Sequence, residues 1–160
     1  MVPETAAFVP ASKPSASGSR LLEDHVFIVT GGSRGIGRAI VHVLAQQGAR
    51  VTFTYAVQRD AAESLMGELK EQQAQAWTCQ ADVRDLKRVQ RVVAETVERF
   101  GRLDGLVNNA GIIRDKALML MEPADWQDVL ETNLTGVFNS CRAAIVTFMK
   151  QRSGSIVNIT

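Results

Sequence analysis

The sequence predicts an α/β fold built on a doubly wound parallel sheet, and three observations carry that prediction. Apolar, β-rich runs begin near residues 26, 51, 77 and 103, spaced like strand–helix–strand units, with a longer step to a last run at 155–160. Amphipathic helical patterns fill the intervals. The residues with unusual chemistry gather at the downstream ends of the runs, at 30–37, 55–60, 82–83 and 108–111. Strands alternating with helices imply a parallel sheet covered on both faces. Crossovers to either side of the first strand would put a switch point beside its end, and ligands of such sheets bind beyond the strands' carboxyl ends.

Residues 1–23 stand apart. Pro3, Pro10 and Pro14 occur there with Ser12, Ser15, Ser17, Gly18 and Ser19, a composition that buries too little apolar surface to offset chain entropy. A disordered leader is expected. It lacks the basic start and long apolar core of a secretory signal, and Glu4 with few arginines argues against a transit peptide. Residues 24–160 are expected to form one domain.

Within that domain Val26, Phe27, Ile28 and Val29 read as a buried strand, followed by Thr30-Gly-Gly-Ser-Arg-Gly-Ile-Gly37. A helix then begins, with Ile36, Ile40, Val43 and Leu44 as its apolar face and Gly48 past its end. Residues 51–55 form a second strand, and Ala62, Leu65, Met66 and Leu69 mark a second helix. A weaker third strand at 76–81 leads to a strong third helix through Leu86, Val89, Val93, Val97 and Phe100, closed by Gly101. A fourth strand at 103–107, a connection at 112–122 and one long helix from Pro123 to about 150 follow. The last strand occupies 155–160.

Composition narrows the function classes. With 46% hydrophobic and 22% charged residues in 160, the chain matches an ordinary soluble globular protein. A net charge of +1 gives no footprint for nucleic acid or an anionic membrane. No apolar run approaches the roughly 20 residues needed to cross a bilayer. Cys79 and Cys141 have no metal-type spacing and read as reduced core thiols; no metal site is expected.

The glycine turn is the first candidate site. Between a strand and a helix N-terminus, Gly31, Gly35 and Gly37 permit a tight turn and close approach of a pyrophosphate, whereas alone they would be only a turn. Gly32, Ser33, Arg34 and Ile36 share the loop. Arg34 is either a solvated cation or a fork donor to a ribose 2′-phosphate. NAD-selective sites place an acid roughly 20 residues past the glycines. Here Tyr55, Ala56, Val57, Gln58 and Arg59 precede Asp60, so NADP is favoured, although Arg59 would equally begin a helix.

Asp82 and Val83 read either as helix-start residues or as an adenine contact, with Asp85 better placed for the capping role. Asn109, Ala110 and Gly111 would let a cofactor ribose or ring lie near the backbone, while Asn108 is expected to pin strand ends. Asn133 sits mid-helix, where an asparagine marks a kink, a solvent-facing amide or a functional group. His25 and His42 are expected at the surface or satisfied, and Trp77 and Trp126 in packing.

With these motifs in place, residues 24–160 resemble the short-chain dehydrogenase/reductases, and among them most the 3-oxoacyl-[acyl-carrier-protein] reductases. The resemblance rests on Thr30–Gly37, Asp82-Val83, Asn108-Asn-Ala-Gly111 and Asn133, with NNAGIIRDKALMLM and WQDVLETNLTGVF around them. It implies a Rossmann fold of strand order 3-2-1-4-5-6-7, of which about five of seven strands are present. It implies NADPH-dependent reduction of a 3-oxoacyl thioester, on acyl carrier protein or CoA, in cytoplasmic fatty acid synthesis by a homotetramer. Asn133 would match the helix asparagine of a water-mediated proton relay. An acetoacetyl-CoA reductase, another carbonyl reductase of the family, or an inactive nucleotide-binding fragment are the alternatives. The family's serine and Tyr-x-x-x-Lys pair are not in this sequence, whose single tyrosine is Tyr55. The chain is therefore expected to be an N-terminal portion cut just before them, marginally folded and inactive alone.

Overall fold

The computed structural model describes residues 20–160. Its elements in chain order are β1 (Val26–Val29), α1 (Gly35–Gln46), β2 (Arg50–Tyr55), α2 (Arg59–Glu71), β3 (Ala76–Gln80), α3 (Leu86–Phe100), β4 (Gly105–Asn108), α4 (Pro123–Leu130), α5 (Gly136–Gln151) and β5 (Ser155–Asn158). The leader expected over 1–23 lies outside the described residues as far as 19. At its other end the chain is already folded: Leu22 donates its N–H to the Gln47 carbonyl at 3.0 Å and packs against the core.

The five strands form one sheet in the order β3-β2-β1-β4-β5, every pairing parallel. The predicted switch point is therefore real: β1 lies between β2 and β4. Parallel pairing demands crossovers, and the helices that supply them divide between the two faces. On one face Val29, Phe53 and Val107 pack with Val41 of α1 and with Ala62, Leu65 and Leu69 of α2. On the other, Ile28, Trp77 and Leu106 pack with Val92, Val93 and Phe100 of α3 and with Ala144 and Phe148 of α5. Full burial of Phe53, Leu65 and Leu69 contributes about 1.5–3 kcal/mol per side chain.

The expected α1 face needs correction. Gly37, Val41 and Ala45 are buried, whereas Ile36 and Val43 are more than half exposed. Small residues win the sheet-facing positions because they let the helix lie close to the strands. Trp126 is likewise exposed rather than packed, while Trp77 is buried with the Arg99 guanidinium 4.5 Å over its ring. The single long helix is also interrupted: residues Glu131–Thr135 form a π-helical segment between α4 and α5, in the middle of which lies Asn133. Gly136, just beyond, lies so close to Val83 that a Cβ there would overlap the valine side chain.

Pro123 occupies the first turn of α4, as expected. The Gly101 cap also stands, its N–H donating to the Val97 carbonyl at 2.8 Å. β5 pairs with β4 only, and its side chains are exposed. Among the described residues no helix is long and apolar enough to cross a membrane.

Candidate functional site

The four stretches singled out in the sequence all lie at the C-terminal ends of strands, those of β1, β2, β3 and β4. Three of the strands are adjacent through β1. The glycine turn follows β1 and is shaped from below. The Gly32 N–H donates to the Thr54 carbonyl of β2 at 2.9 Å. A Cβ on Gly32 would stand 2.6 Å from that of Phe53. Gly31 and Gly35 take φ of +64° and +54°, left-handed conformations that cost side-chain-bearing residues about 1–2 kcal/mol.

Thr30 and Asn109 lock this turn to the end of β4. Thr30 Oγ1 accepts the N–H groups of Asn109 and Ala110 at 3.0 and 3.1 Å. Asn109 Nδ2 returns the link, donating to the carbonyls of Thr30 and Gly31 at 3.0 Å each. A Cβ on Gly37 would overlap that same Nδ2 and the Gly31 carbonyl. Asn109, singled out as a cofactor contact, is thus first a clamp on the phosphate turn. Ala110 stands where a Gly31 Cβ would come within 2.9 Å of its Cα. Thr30 carried no assigned role in the sequence. The available signal was a polar residue closing an apolar strand directly before the glycines.

The mouth of the turn is open. A Cβ at Gly35 meets nothing within 4 Å, and Arg34 and Ile36 are exposed beside it, with Ser33 buried. α1 has no side-chain cap at Arg34 and no acid in its first turn. By contrast, Asp85 accepts the Arg88 N–H at 3.1 Å to cap α3, and the Asp125 carboxylate accepts the Glu122 N–H at 3.1 Å in α4. The first N–H groups of a helix have no internal acceptor, so those of α1 are left to an anion, which the helix dipole also favours. The residues present therefore fit a phosphate group: an uncapped donor set, a cradle a side chain would fill, and the exposed guanidinium of Arg34 beside it. Arg34 makes no ion pair among the described residues. Arg59 opens α2, the simpler of its two readings, and pairs with Glu63 at 3.1 Å.

Asp82 is bound by Arg84, whose Nε and Nη2 donate to its Oδ2 at 2.9 and 2.7 Å. The Arg84 guanidinium holds the Asp82 carboxyl below the usual carboxylate range. The Val83 side chain is buried, and its carbonyl accepts from Asn139 Nδ2 at 3.0 Å. Asn108 is buried at the end of β4 and donates to Asn158 Oδ1 at 2.9 Å, joining β4 to β5 as expected of a pin.

Asn133 turns toward the connection after β4. Its Oδ1 accepts the Ile112 N–H at 2.9 Å and its Nδ2 donates to the Ile112 carbonyl at 3.0 Å. A Cβ on Gly111 would stand 3.4 Å from Asn133 Oδ1. The structure thus brings Gly31–Gly37, Asn109–Gly111 and Asn133 into one continuous surface. Asp82 and Val83 stand at the end of β3, one strand further out beyond β2. Among the described residues there is no cluster of metal-ligating side chains.

The short chain dehydrogenase family model matches residues 25–160. A 3-oxoacyl-[acyl-carrier-protein] reductase FabG of Staphylococcus aureus is 45% identical over 133 residues, covering 83% of this chain and 54% of that protein. A 3-oxoacyl-[acyl-carrier-protein] reductase of Synechocystis is 42% identical over 139 residues, covering 87% and 56%. Among solved structures, a short chain dehydrogenase of Burkholderia cenocepacia in complex with NADP superimposes with a TM-score of 0.77 at 36% identity, covering 86% of this chain and 55% of that one. A doubly substituted short-chain dehydrogenase/reductase of Serratia marcescens gives 0.79 at 35% identity, with 86% and 55% covered. The chain spans about half the length of the relatives it matches.

Proposed function

The chain belongs to the short-chain dehydrogenase family, and from that premise we propose that its 160 residues are the NADP-holding part of a cytoplasmic 3-oxoacyl-thioester reductase. The observation that carries this reading is the uncapped N-terminus of α1 beneath a glycine turn clamped by Asn109. Backbone N–H groups of Ser33–Gly37 hold the pyrophosphate, and Arg34, with Arg59 on the first turn of α2, takes the 2′-phosphate. No acid intervenes between β2 and Arg59 to repel it. Asp82 and Val83 border the adenine, the carboxylate exchanging part of its Arg84 contact for the exocyclic amine. Ala110 and Gly111 let the ribose lie against the backbone.

Bound NADPH supplies a hydride to the 3-oxo carbon. What these residues add is orientation. Asn133 fixes the connection at Ile112 that borders the reacting end, and by its resemblance to the family's helix asparagine it belongs to a proton relay through water. The proton donor itself lies outside these residues: Tyr55, the single tyrosine, is on β2, away from the end of β4. Reduction of the carbonyl needs an acid at the developing alkoxide. The named relatives at 42–45% identity favour an acyl-carrier-protein thioester as the substrate and fatty acid synthesis as the setting, with a homotetramer as the assembly.

The test compares the 160-residue chain with the protein purified from its own source. Both are assayed for NADP+ binding by calorimetry and for NADPH oxidation with a 3-oxoacyl thioester. Binding by both, with turnover only by a natural protein longer than this chain, is the expected result. Turnover by the 160 residues contradicts the assignment of the proton donor, and absence of binding by either contradicts the cofactor.

A further inference from the structure

Arg38 lies one turn into α1 and faces α2. Its Nη1 donates to the Ser33 carbonyl of the glycine turn at 3.4 Å and to the Ala61 carbonyl at 3.3 Å. Its Nη2 forms an ion pair with Glu68 and reaches Ser64 Oγ at 3.5 Å. One helical turn further along α1, His42 Nε2 lies 3.0 Å from the other Glu68 oxygen. The carbonyl contacts are long and individually weak. The ion pair is what holds the guanidinium in place, and Glu68 is itself gripped from two turns of α1. Arg38 therefore ties three pieces together: the turn that carries Arg34, the first turn of α2 that carries Arg59, and the body of α2.

Its own charge is spent on Glu68, and its side chain is only about a quarter exposed, so it is not a direct anion ligand. Arg34 and Arg59 are, by contrast, exposed on two different elements, and the Arg59–Glu63 pair lies within α2 and does not tie Arg59 to the Arg34 turn. We propose that Arg38, held by Glu68, is a positioning residue for selectivity: it sets the spacing between the Arg34 turn and the Arg59 turn, and so the preference for a cofactor bearing a 2′-phosphate. This rests on the reading that the turn binds NADP. A planar fork with several donors suits a three-way tie; a lysine, with a compact charge, does not reproduce it.

Calorimetric titration of the 160-residue chain with NADP+ and with NAD+ tests the idea, with the melting temperature and far-UV dichroism of each variant recorded. Arg38→Met keeps the aliphatic stem and removes the fork. It is expected to lower the NADP+/NAD+ affinity ratio about tenfold, with NAD+ affinity little changed and Arg38→Lys recovering only part of the loss. Because Arg38→Met also takes the guanidinium from Glu68 and leaves that carboxylate to His42 and Ser64, the double variant Arg38→Met/Glu68→Gln is included. A ratio that stays low in the double variant supports positioning, and a ratio restored there assigns the effect to Glu68 repulsion and overturns it. Equal weakening of both cofactors, or an unchanged ratio, overturns it as well. Failure of the unaltered chain to bind NADP+ defeats the underlying reading and this inference together, and is told apart by needing no variant.

Discussion

Asn133 and Ile112 are joined by the same two hydrogen bonds a pair of peptides would make, N–H to Oδ1 at 2.9 Å and Nδ2 to carbonyl at 3.0 Å. An amide side chain in a π-helical segment thereby serves as the anchor of a long connection that has no sheet partner. Each such bond is worth about 0.5–1.5 kcal/mol, and the exposed setting puts these near the lower end. Asn133→Ala is expected to cost about 1 kcal/mol and to speed exchange of the Ile112 amide without affecting amides of β1. Equal Ile112 protection in the variant counts against the anchor.

Thr30 offers a sharper case because its hydroxyl satisfies two N–H groups at once. Thr30→Val keeps the shape and leaves both donors without an acceptor, at a cost of about 1–3 kcal/mol. Thr30→Ser is expected to retain most of the stability. Urea titrations of the two variants separate the hydroxyl from the methyl.

Gly35 and Gly37 are predicted to fail differently. At Gly37 a Cβ collides with Asn109 and the Gly31 carbonyl, so Gly37→Ala is expected to destabilise by about 1–3 kcal/mol, as overpacking does. At Gly35 there is space but a positive φ, so Gly35→Ala costs about 1–2 kcal/mol while its methyl projects into the phosphate mouth. The expected outcome is a small fall in melting temperature with NADP+ affinity reduced about tenfold. Melting curves with and without cofactor distinguish the two.

Cys79 supplies a pH signature. Burial pushes its thiol from 9.0 up to about 12, so the folded chain keeps a proton that the unfolded chain releases. A folded state that binds more protons loses stability as pH rises. The loss is confined between about 9 and about 12. Alkaline unfolding in that window is expected to be reduced in Cys79→Ala. At pH 8 a thiol reagent should label Cys141, which is partly exposed, before Cys79.

Much of this architecture is legible in the sequence because strands buried on both faces must be apolar throughout. Runs such as Val26–Val29 announce themselves, and their spacing forces parallel crossovers. The glycine turn is legible because few residues tolerate its backbone. The buried face of α1 is not, since Ile36 and Val43 are more apolar than the Gly37 and Ala45 that face the sheet; there size, not hydrophobicity, decides. Nor is the π segment, which differs from an α-helix by one hydrogen-bond register and is set by contacts far away in sequence, Ile112 on Asn133 and Val83 on Gly136. Asn109 was legible as a polar residue at a strand end, but the direction of its amide, into the turn, depends on how β4 lies beside β1.

The most direct test of one shared cofactor site is to follow the backbone amide chemical shifts of the chain as NADP+ is added. The largest changes are expected at Ser33–Gly37 and at Ala110 and Gly111, with further changes at Asp82 and Val83. Changes confined to other surfaces, or none at saturating NADP+, would contradict it.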